Sequence, residues 1–173
     1  MILQSEHIQL KTLTYRDVSQ KYVDWMNDPD VTRYTESRFQ KHNMESVKDY
    51  VKAISGSSED YLYGIYEDGD HIGNIKLHAN MHHNLGDIGI LIGDKTKWGR
   101  GYATEAIRAL TRHGLETLEM HKISAGIYSN NQGSIKAFKA AGYNEEGIHE
   151  LTYLSNGEYV GEIIMSIWNS EGY

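Results

Sequence analysis

Hydrophobic and polar positions along this chain repeat with two different periods, and the two periods separate predicted strands from predicted helices. Polar and apolar residues alternate over 7–13, as in a strand with one buried face. Between 102 and 118, apolar residues recur every three or four positions, as on the buried face of a helix. Strands are predicted at 7–13, 61–66, 71–77, 88–92 and 121–128, followed by two long strands from Tyr143 onward. Helices are predicted from Thr14 or Asp17 to about Met26, and over 44–54, 102–118 and 135–141.

Glycine, asparagine and proline mark where these elements end. Asp68-Gly69 and Asn156-Gly157 each lie between two predicted strands, and such dipeptides are typical of tight hairpin turns. Pro29, the only proline, follows the first helix and is expected to stop it. Gly142 is expected to close the last helix. The predicted order of elements is therefore β-α-α-β-β-β-α-β-α-β-β.

Gly99 and Gly101 lie between the apolar strand at 88–92 and the helix that begins near 102. Because glycine has no Cβ, its N–H group can approach a ligand closely and its φ can be positive. The helix that follows presents its unpaired N–H groups and the positive end of its dipole at the same point. Arg100 adds a full positive charge. The strand, the glycine turn and the helix together predict a phosphate-binding site.

Three known kinds of phosphate-binding turn can be compared with this arrangement. A P-loop ends in Gly-Lys-Ser/Thr, which this turn lacks. A dinucleotide-binding turn follows its strand directly and has a third glycine, whereas here residues 93–97 intervene and the third position is Thr104. The third kind rests on a resemblance. The stretch 98–106, Trp-Gly-Arg-Gly-Tyr-Ala-Thr-Glu-Ala, resembles the coenzyme A pyrophosphate loop of the GNAT superfamily of acetyl-CoA-dependent N-acetyltransferases, with Trp98 where that family has Gln or Arg.

The same stretch is similar to the RimJ/RimL-like branch of that family, which includes ribosomal-protein alanine, amino-sugar and polyamine acetyltransferases. The similarity continues at 25–31 and 131–143. It implies an α/β (α+β) fold, a single N-acetyltransferase domain over 1–173 with a mixed, strongly twisted sheet and helices on both faces. It also implies direct transfer of an acetyl group from acetyl-CoA to a primary amine, such as a protein N-terminus, an amino-sugar nucleotide, a polyamine or a drug. A non-catalytic acyl-CoA-binding sensor is the alternative function.

The resemblance also assigns the residues that bind acetyl-CoA. The backbone of the strand at 90–92 is expected to pair with the pantetheine arm, as an added strand would. Asn131 is expected to hydrogen-bond that arm, although an asparagine at this position also suits a helix cap. The residues implied to contact the cofactor are Ile90, Leu91, Ile92, Trp98, Gly99, Arg100, Gly101, Tyr102, Ala103, Thr104, Asn131 and Ser134.

Acetyl transfer to an amine also needs a group that takes the proton of the amine and a group that protonates the leaving thiolate. Asp87, at the start of the strand before the glycine turn, and Glu150, on a late strand, are the candidate bases, with ordered water as the third option. The family often uses a tyrosine for the thiolate, but the corresponding residue here is Phe138. Ser134 is the expected substitute, or else only a helix cap. Glu105 is expected to be structural or to face the acceptor.

Composition narrows the remaining possibilities. The 173 residues contain no cysteine, which excludes disulfides and cysteine metal sites, and the formal net charge is −7. A negative charge argues against a nucleic-acid partner and suits a cationic amine, although it also favours solubility alone. No apolar run approaches the ~20 residues that span a bilayer, and no leader segment is visible, so we expect a cytoplasmic protein without membrane contact. The spacing of His78, His82 and His83 fits no metal site, so no metal is expected. The edges of the late strands make a homodimer plausible.

Overall fold

Eight strands form one mixed sheet in the computed structural model, which describes residues 1–169. Their bounds are Ile2–Gln4 (β1), Gln9–Thr12 (β2), Asp60–Glu67 (β3), Asp70–Asn80 (β4), Leu85–Ile92 (β5), Lys122–Tyr128 (β6), Asn144–Ser155 (β7) and Glu158–Trp168 (β8). The strands lie in the order β1-β2-β3-β4-β5-β6-β8-β7. Every neighbouring pair is antiparallel except β5 and β6, which are parallel.

Within residues 1–169, helices cover both faces of this sheet as predicted, but there are five α-helices where four were predicted. Their bounds are Gln20–Asn27 (α1), Pro29–Thr32 (α2), Met44–Ser55 (α3), Tyr102–Arg112 (α4) and Gln132–Ala140 (α5). The adjacent β3 residues Leu62 and Tyr63 belong to different clusters of buried side chains, because successive side chains of a strand point to opposite faces. Tyr63 shares its cluster with Ile107 and Leu110 of α4, whereas Leu62 shares its cluster with Val51 of α3.

The predicted order of elements was incomplete near the N-terminus. β1 was not predicted, because a strand of three residues is too short to show a period. Pro29 follows α1 as predicted, but it is also the first residue of α2, where its missing N–H is not needed. α1 itself begins after Ser19, whose hydroxyl accepts from the backbone N–H of Tyr22. Thr14 and Asp17, the predicted caps, instead form the capping box of a separate 3₁₀ turn.

Both predicted hairpin turns are present. The φ angle is 48° at Asp68 and 88° at Gly69, between β3 and β4. It is 53° at Asn156 and 85° at Gly157, between β7 and β8. Two consecutive positive φ angles are what a mirror-image two-residue hairpin turn requires.

The helix predicted over 102–118 is present, but its hydrogen bonding changes along its length. It is α-helical through Arg112 and continues as a π-helical turn over His113–Thr117, where the N–H of Leu118 donates to the carbonyl of His113. In the part of the chain that the structure describes, no helix is long and apolar enough to cross a membrane.

The parallel pair β5 and β6 is joined over a short length only. The paired residues are Leu85 with Lys122, Gly86 with Ile123, and Asp87 with Ser124. Beyond Asp87, β5 stays paired with β4 through Ile92 and β6 stays paired with β8 through Tyr128. The two strands therefore separate, and a gap opens in the middle of the sheet.

Candidate active site

A cleft of about 600 Å³ lies where β5 and β6 separate. Its walls come from the diverging strands, from the N-terminal half of α5, and from the segment that contains α1 to α3 on one face of the sheet. The lining residues used below are Tyr22, Tyr34, Tyr50, Asn74, Lys76, Ile88, Gly89, Ile90, Leu91, Gly126, Tyr128, Asn131, Ser134 and Phe138. One cleft thus reaches both the open edge of β5 and the polar groups around α1 to α3.

The edge of β5 that faces β6 has no strand partner beyond Asp87 among residues 1–169. The other edge is fully paired with β4 up to Ile92. The carbonyl of Ile92 accepts a hydrogen bond from the indole Nε1 of Trp98 at 2.8 Å, which anchors the segment that leads to the glycine turn. An extended ligand can therefore add to this edge as a short strand over residues 88–91.

The glycine turn presents backbone amides to solvent. The φ angles of Gly99 and Gly101 are 72° and 86°, values that residues with a Cβ rarely adopt. Gly101 is the N-cap of α4 and supplies no side chain to cap it. The first intrahelical donor is the N–H of Glu105, which reaches the Gly101 carbonyl. The N–H groups of residues 102–104 have no partner within the described residues, as an anion site at a helix N-terminus requires.

Charged groups hold the start of α4 against the β3–β4 hairpin. The Glu67 carboxylate forms an ion pair with the Lys97 ammonium and accepts from the Tyr102 hydroxyl. These two partners, with a weaker contribution from Arg100, lower the pKa of Glu67. Glu67 therefore holds the residues on either side of the glycine turn in place, while Arg100 within the turn is exposed to solvent.

Glu105, in the first turn of α4, is structural. Its carboxylate accepts from the backbone N–H groups of His7 and Ile8 at 2.7 and 3.3 Å. Glu105 therefore links α4 to the segment between β1 and β2. Of the two roles predicted for Glu105, the structural one is confirmed.

The N-terminus of α5 forms the opposite wall of the cleft. Asn131 is the N-cap of α5, and its Oδ1 accepts from the N–H of Ser134 at 3.2 Å. The cap is therefore Asn131 and not Ser134, whose hydroxyl has no hydrogen-bond partner among the described residues. Phe138 lies one helical turn further on, is 1% exposed, and packs edge-to-face on Tyr143. Ser134 and Phe138 both line the cleft.

Asp87 lies where β5 and β6 part. It pairs with His78 of β4 on one side and with Ser124 of β6 on the other. Its carboxylate has no hydrogen-bond partner among residues 1–169. The side chain of Asp87 is exposed at the surface, yet loss of hydration beside the surrounding protein raises the pKa of its carboxyl; the Glu162 carboxylate raises this pKa further, whereas Lys76 and His78 lower it. A carboxyl with a raised pKa is suited to accept a proton.

A second carboxylate, Glu162 of β8, lies beside the cleft. Its side chain is 17% exposed and folds over Gly126, where a Cβ would collide with Oε1 of Glu162. It accepts hydrogen bonds from the Tyr153 hydroxyl at 2.6 Å and from Nδ1 of His149 at 3.0 Å. Tyr153 in turn stacks on Tyr128, with ring centroids 4.1 Å apart.

The outer wall of the cleft joins aromatic rings to charged groups. The Tyr128 hydroxyl donates to Glu36 at 3.0 Å and accepts from Arg38 at 3.0 Å. Tyr34 lies against Tyr128, with ring centroids 5.7 Å apart, and lines the cleft. This wall therefore combines aromatic surface with the carboxylates of Glu36 and Glu162.

The sequence matches a known family over most of its length. Residues 7–144 match the acetyltransferase (GNAT) domain. The chain belongs to the GNAT acetyltransferase family. The acetyltransferase is similar to the probable N-acetyltransferase YjcK of Bacillus subtilis, with 31% identity over 129 residues that cover 72% of this chain and 70% of YjcK.

Two solved structures share the fold of this acetyltransferase. RimL, a ribosomal alpha-N-protein acetyltransferase in complex with coenzyme A, has a TM-score of 0.88 at 14% identity, covering 97% of this chain and 98% of RimL. A spermidine N-acetyltransferase from Vibrio cholerae, in complex with coenzyme A and spermine, has a TM-score of 0.84 at 19% identity, covering 95% and 97%. The predicted family and fold, and the likeness to the RimJ/RimL branch, are confirmed.

In the acetyltransferase, some of the predicted cofactor residues line the cleft, whereas Ile92 and residues 98–104 are not among its lining residues. Ile90 and Leu91 line the cleft and Ile92 ends β5. Residues 98–104 form the turn and the start of α4. Asn131 and Ser134 line the cleft from the N-terminal end of α5. Contact of these residues with acetyl-CoA stays a prediction.

The predicted bases are placed differently from each other. Asp87 is not itself a lining residue of the cleft, but it adjoins the lining residue Ile88 along β5. Glu150 does not line the cleft; it is exposed, in a stretch between His149 and Tyr153 where the pairing of β7 with β8 shifts its register. The structure therefore does not bring Asp87 and Glu150 together.

Glu162 is the residue that sequence reasoning missed. Its position beside the cleft depends on the pairing of β8 with β6, which local periodicity does not reveal. One signal was available: Glu162 is the only charged residue in the otherwise apolar or small stretch 160–167.

Three histidines considered for a metal site are not gathered around one. His78 Nδ1 lies 3.0 Å from Asp60 Oδ1, whereas His82 and His83 are exposed in the turn between β4 and β5. Among residues 1–169, no group of three or more histidine and acidic side chains is arranged to hold a metal ion.

Proposed function

We propose that this acetyltransferase binds acetyl-CoA along the open edge of β5 and transfers the acetyl group directly to a primary amine. The observation that carries the proposal is that one unpaired strand edge leads to one set of unpaired helix amides. The amides of the pantetheine arm can pair with β5 over 88–91, and the pyrophosphate can then reach the amides of 102–104.

On this proposal, each predicted residue has a stated role. Gly99 and Gly101 let the backbone approach the pyrophosphate, with Arg100 as an added charge. Asn131 keeps α5 in place and offers its amide to the pantetheine arm. Ser134, whose hydroxyl is otherwise unpartnered, protonates the leaving thiolate, which Phe138 cannot do.

The proton of the amine goes to Asp87, directly or through a water molecule. Its raised pKa and lack of a hydrogen-bond partner favour this role. Glu162 and Glu36 lie on the acceptor side and favour a cationic amine by charge. Because no step forms a covalent bond to the protein, the absence of cysteine is no obstacle.

The fold alone does not choose the acceptor. RimL acts on a protein α-amine and the Vibrio enzyme was solved with spermine, and both share this fold. A protein N-terminus, an amino-sugar nucleotide and a polyamine are therefore the acceptors to be compared.

The test is acetyl-CoA turnover, measured by thiol release, with a peptide that begins with alanine, an amino-sugar nucleotide and spermidine. We expect turnover with at least one of them, and Gly101→Val as the control should remove it. Coenzyme A should also raise the melting temperature, whereas NAD and ATP should not. Binding of coenzyme A without turnover of any amine would support the sensor function, and stabilisation by NAD alone would exclude this ligand class.

A further inference from the structure

Asn74 of β4 is a buried polar residue in the wall of the cleft. It is 6% exposed, and its Nδ2 has no hydrogen-bond partner within the described residues. Buried polar atoms are nearly always paired, and an unpaired one requires an explanation. Asn74 also lines the cleft, so an entering ligand can supply the missing partner.

His71 fixes which end of the Asn74 amide is left unpaired. Nε2 of His71 lies 3.0 Å from the carbonyl of Gly73 and 2.9 Å from Oδ1 of Asn74. Because a carbonyl only accepts, Nε2 must carry the proton, and it donates to both oxygens. Burial lowers the pKa of His71, so the ring is neutral. The amide is therefore held with Oδ1 toward His71, and the two donors of Nδ2 are left over.

Asn74 faces the acceptor side of the sheet and not the α4 side. It pairs with Gly64 on β3 and with Leu91 on β5, and Leu91 packs against the buried cluster of α1 to α3. The neighbouring β4 residue Ile75 faces the cluster of α4 instead. The backbone of Asn74 thus lies one strand spacing, about 4.8 Å, from β5, and its side chain lies on the face opposite α4.

Lys76 and two tyrosines share the wall of the cleft with Asn74. Lys76, two residues further along β4, lines the same wall, and its ammonium is 3.5 Å from Asp60. The hydroxyl-bearing rings of Tyr22 and Tyr50 line the wall as well. This wall therefore offers an ammonium that donates and two hydroxyls that can donate or accept, whereas the carboxylates of Glu36 on the other wall and of Glu162 beside it can only accept.

We propose that Asn74 is a specificity-determining residue that donates from Nδ2 to a carbonyl or hydroxyl oxygen carried by the amine substrate. The inference rests on the proposed function and narrows it to amines that bear such an oxygen close to the nitrogen. An alkylamine leaves the buried donor unpaired, and a site built to hydrogen-bond a substrate discriminates against analogues that lack the partner.

The test compares glycinamide with isobutylamine, which has nearly the same shape and no oxygen. Initial rates of acetyl-CoA turnover give kcat/KM for each amine. Asn74→Leu keeps the side-chain size and removes the donor, and Asn74→Ser is a second variant with a shorter donor. Asn80→Leu, at the exposed end of the same strand, is the matched control. Coenzyme A affinity by calorimetry and the melting temperature are measured for each variant.

We expect Asn74→Leu to lower kcat/KM for glycinamide by roughly ten- to a hundredfold, mostly through KM, and to change that for isobutylamine less than threefold. Asn74→Ser should give an intermediate loss and Asn80→Leu none. Equal losses for both amines, no loss for either, or a parallel loss of coenzyme A affinity would overturn the inference. So would a wild type that acetylates other amines but neither of these two, and then the proposed function would still stand. Absence of turnover with every amine would remove the proposed function and the inference together.

Discussion

The carboxylate of Glu162 occupies the space that a side chain at Gly126 would fill. Gly126 lies on β6 in the wall of the cleft, and Glu162 reaches it from β8, held by Tyr153 and His149. The position of a charged group beside the candidate acceptor site thus depends on the absence of a Cβ at Gly126.

Gly126→Ala should therefore displace Glu162 from the cleft. Because the colliding atom is the end of a flexible side chain, the loss of stability should be small, about 1 kcal/mol, and should come from the hydrogen bonds that Glu162 gives up. We also expect KM for the amine to rise roughly tenfold, because a charge that faces the amine has moved. Chemical denaturation and acetyl-transfer kinetics measure the two effects.

Two further variants separate the causes. Gly147→Ala is the matched control, because a Cβ at Gly147 meets nothing within 4 Å. Adding Glu162→Ala to Gly126→Ala relieves the collision, but it should change stability little further and should not restore the KM for the amine. Recovery of the KM would mean that Glu162 has no part in binding the amine.

Asp87→Asn should lower kcat by roughly 10²–10⁴ with little change in coenzyme A affinity, because it removes the proposed base. In the wild type, kcat should rise with pH as Asp87 loses its proton, at a pH above the ordinary range of an aspartate. Glu150→Gln, an exposed carboxylate away from the cleft, is the control and should keep the full rate. Full activity of Asp87→Asn would assign proton removal to water or to another group.

The same substitution should make the folded protein more stable at neutral pH. The folded-state pKa of Asp87 is raised, so between the unfolded and folded pKa values the native state binds the extra proton. Stability from this group is present at low pH and is lost as the pH rises through the folded pKa. Asp87→Asn removes that loss, so its melting temperature should exceed that of the wild type at pH 7 and approach it at low pH. A lower melting temperature at pH 7 would contradict the raised pKa.

Gly101→Val should abolish coenzyme A binding, because a branched Cβ restricts φ and stands where the phosphate approaches the turn. Gly157→Val is the matched control for backbone strain, since φ is 85° at Gly157 and 86° at Gly101 and neither would meet a neighbour. Both variants should lose stability, but only Gly101→Val should lose affinity. Calorimetry with coenzyme A, with circular dichroism to check the fold, makes the comparison.

Arg100→Ala should do less than Gly101→Val. The guanidinium is exposed, so we expect a loss of roughly fivefold in affinity, larger at low salt than at high salt. Tight binding by Gly101→Val would mean that the pyrophosphate does not lie on this turn.

Ser134→Ala should lower kcat without weakening α5, because Asn131 and not Ser134 caps that helix. Phe138→Tyr places a hydroxyl one helical turn further along the same wall, so in the Ser134→Ala background it should restore part of the lost rate. Thiol release at saturating acetyl-CoA and amine reports this directly. A rate for Ser134→Ala equal to that of the wild type would leave thiolate protonation to solvent.

The part of this molecule that is encoded locally could be predicted from its sequence. Periodicity located most strands and helices, and the residue types at Asp68-Gly69, Asn156-Gly157 and 98–104 specified turns whose backbone angles no other residues adopt easily. β1 escaped prediction because it is too short to show a period. Pro29 was assigned only one of its two roles, since a proline after one helix and a proline that starts the next look alike.

The residues that could not be predicted owe their positions to long-range pairing. Glu162 reaches Gly126 because of the register between β8 and β6, and Glu150 is kept from the cleft by a register shift in β7. In the sequence, Asn74 is indistinguishable from an ordinary strand residue. Only the structure shows that its Oδ1 is hydrogen-bonded to His71 while its Nδ2 has no partner within the described residues. Register across a sheet is set by the packing of the whole, and no local pattern contains it.

The pairing between β5 and β6 is short, so the sheet is easier to separate there than between any other two long strands. In the part of the chain that the structure describes, only three pairs of backbone partners join the strands β1 to β5 to the strands β6 to β8. A ligand that lies along the edge of β5 should also contact the β6 side of the cleft, so it would bridge the two strands where they are not hydrogen-bonded to each other. We expect its binding to slow amide hydrogen exchange throughout β6 and β8, including at residues it never contacts, because opening of that part then requires release of the ligand.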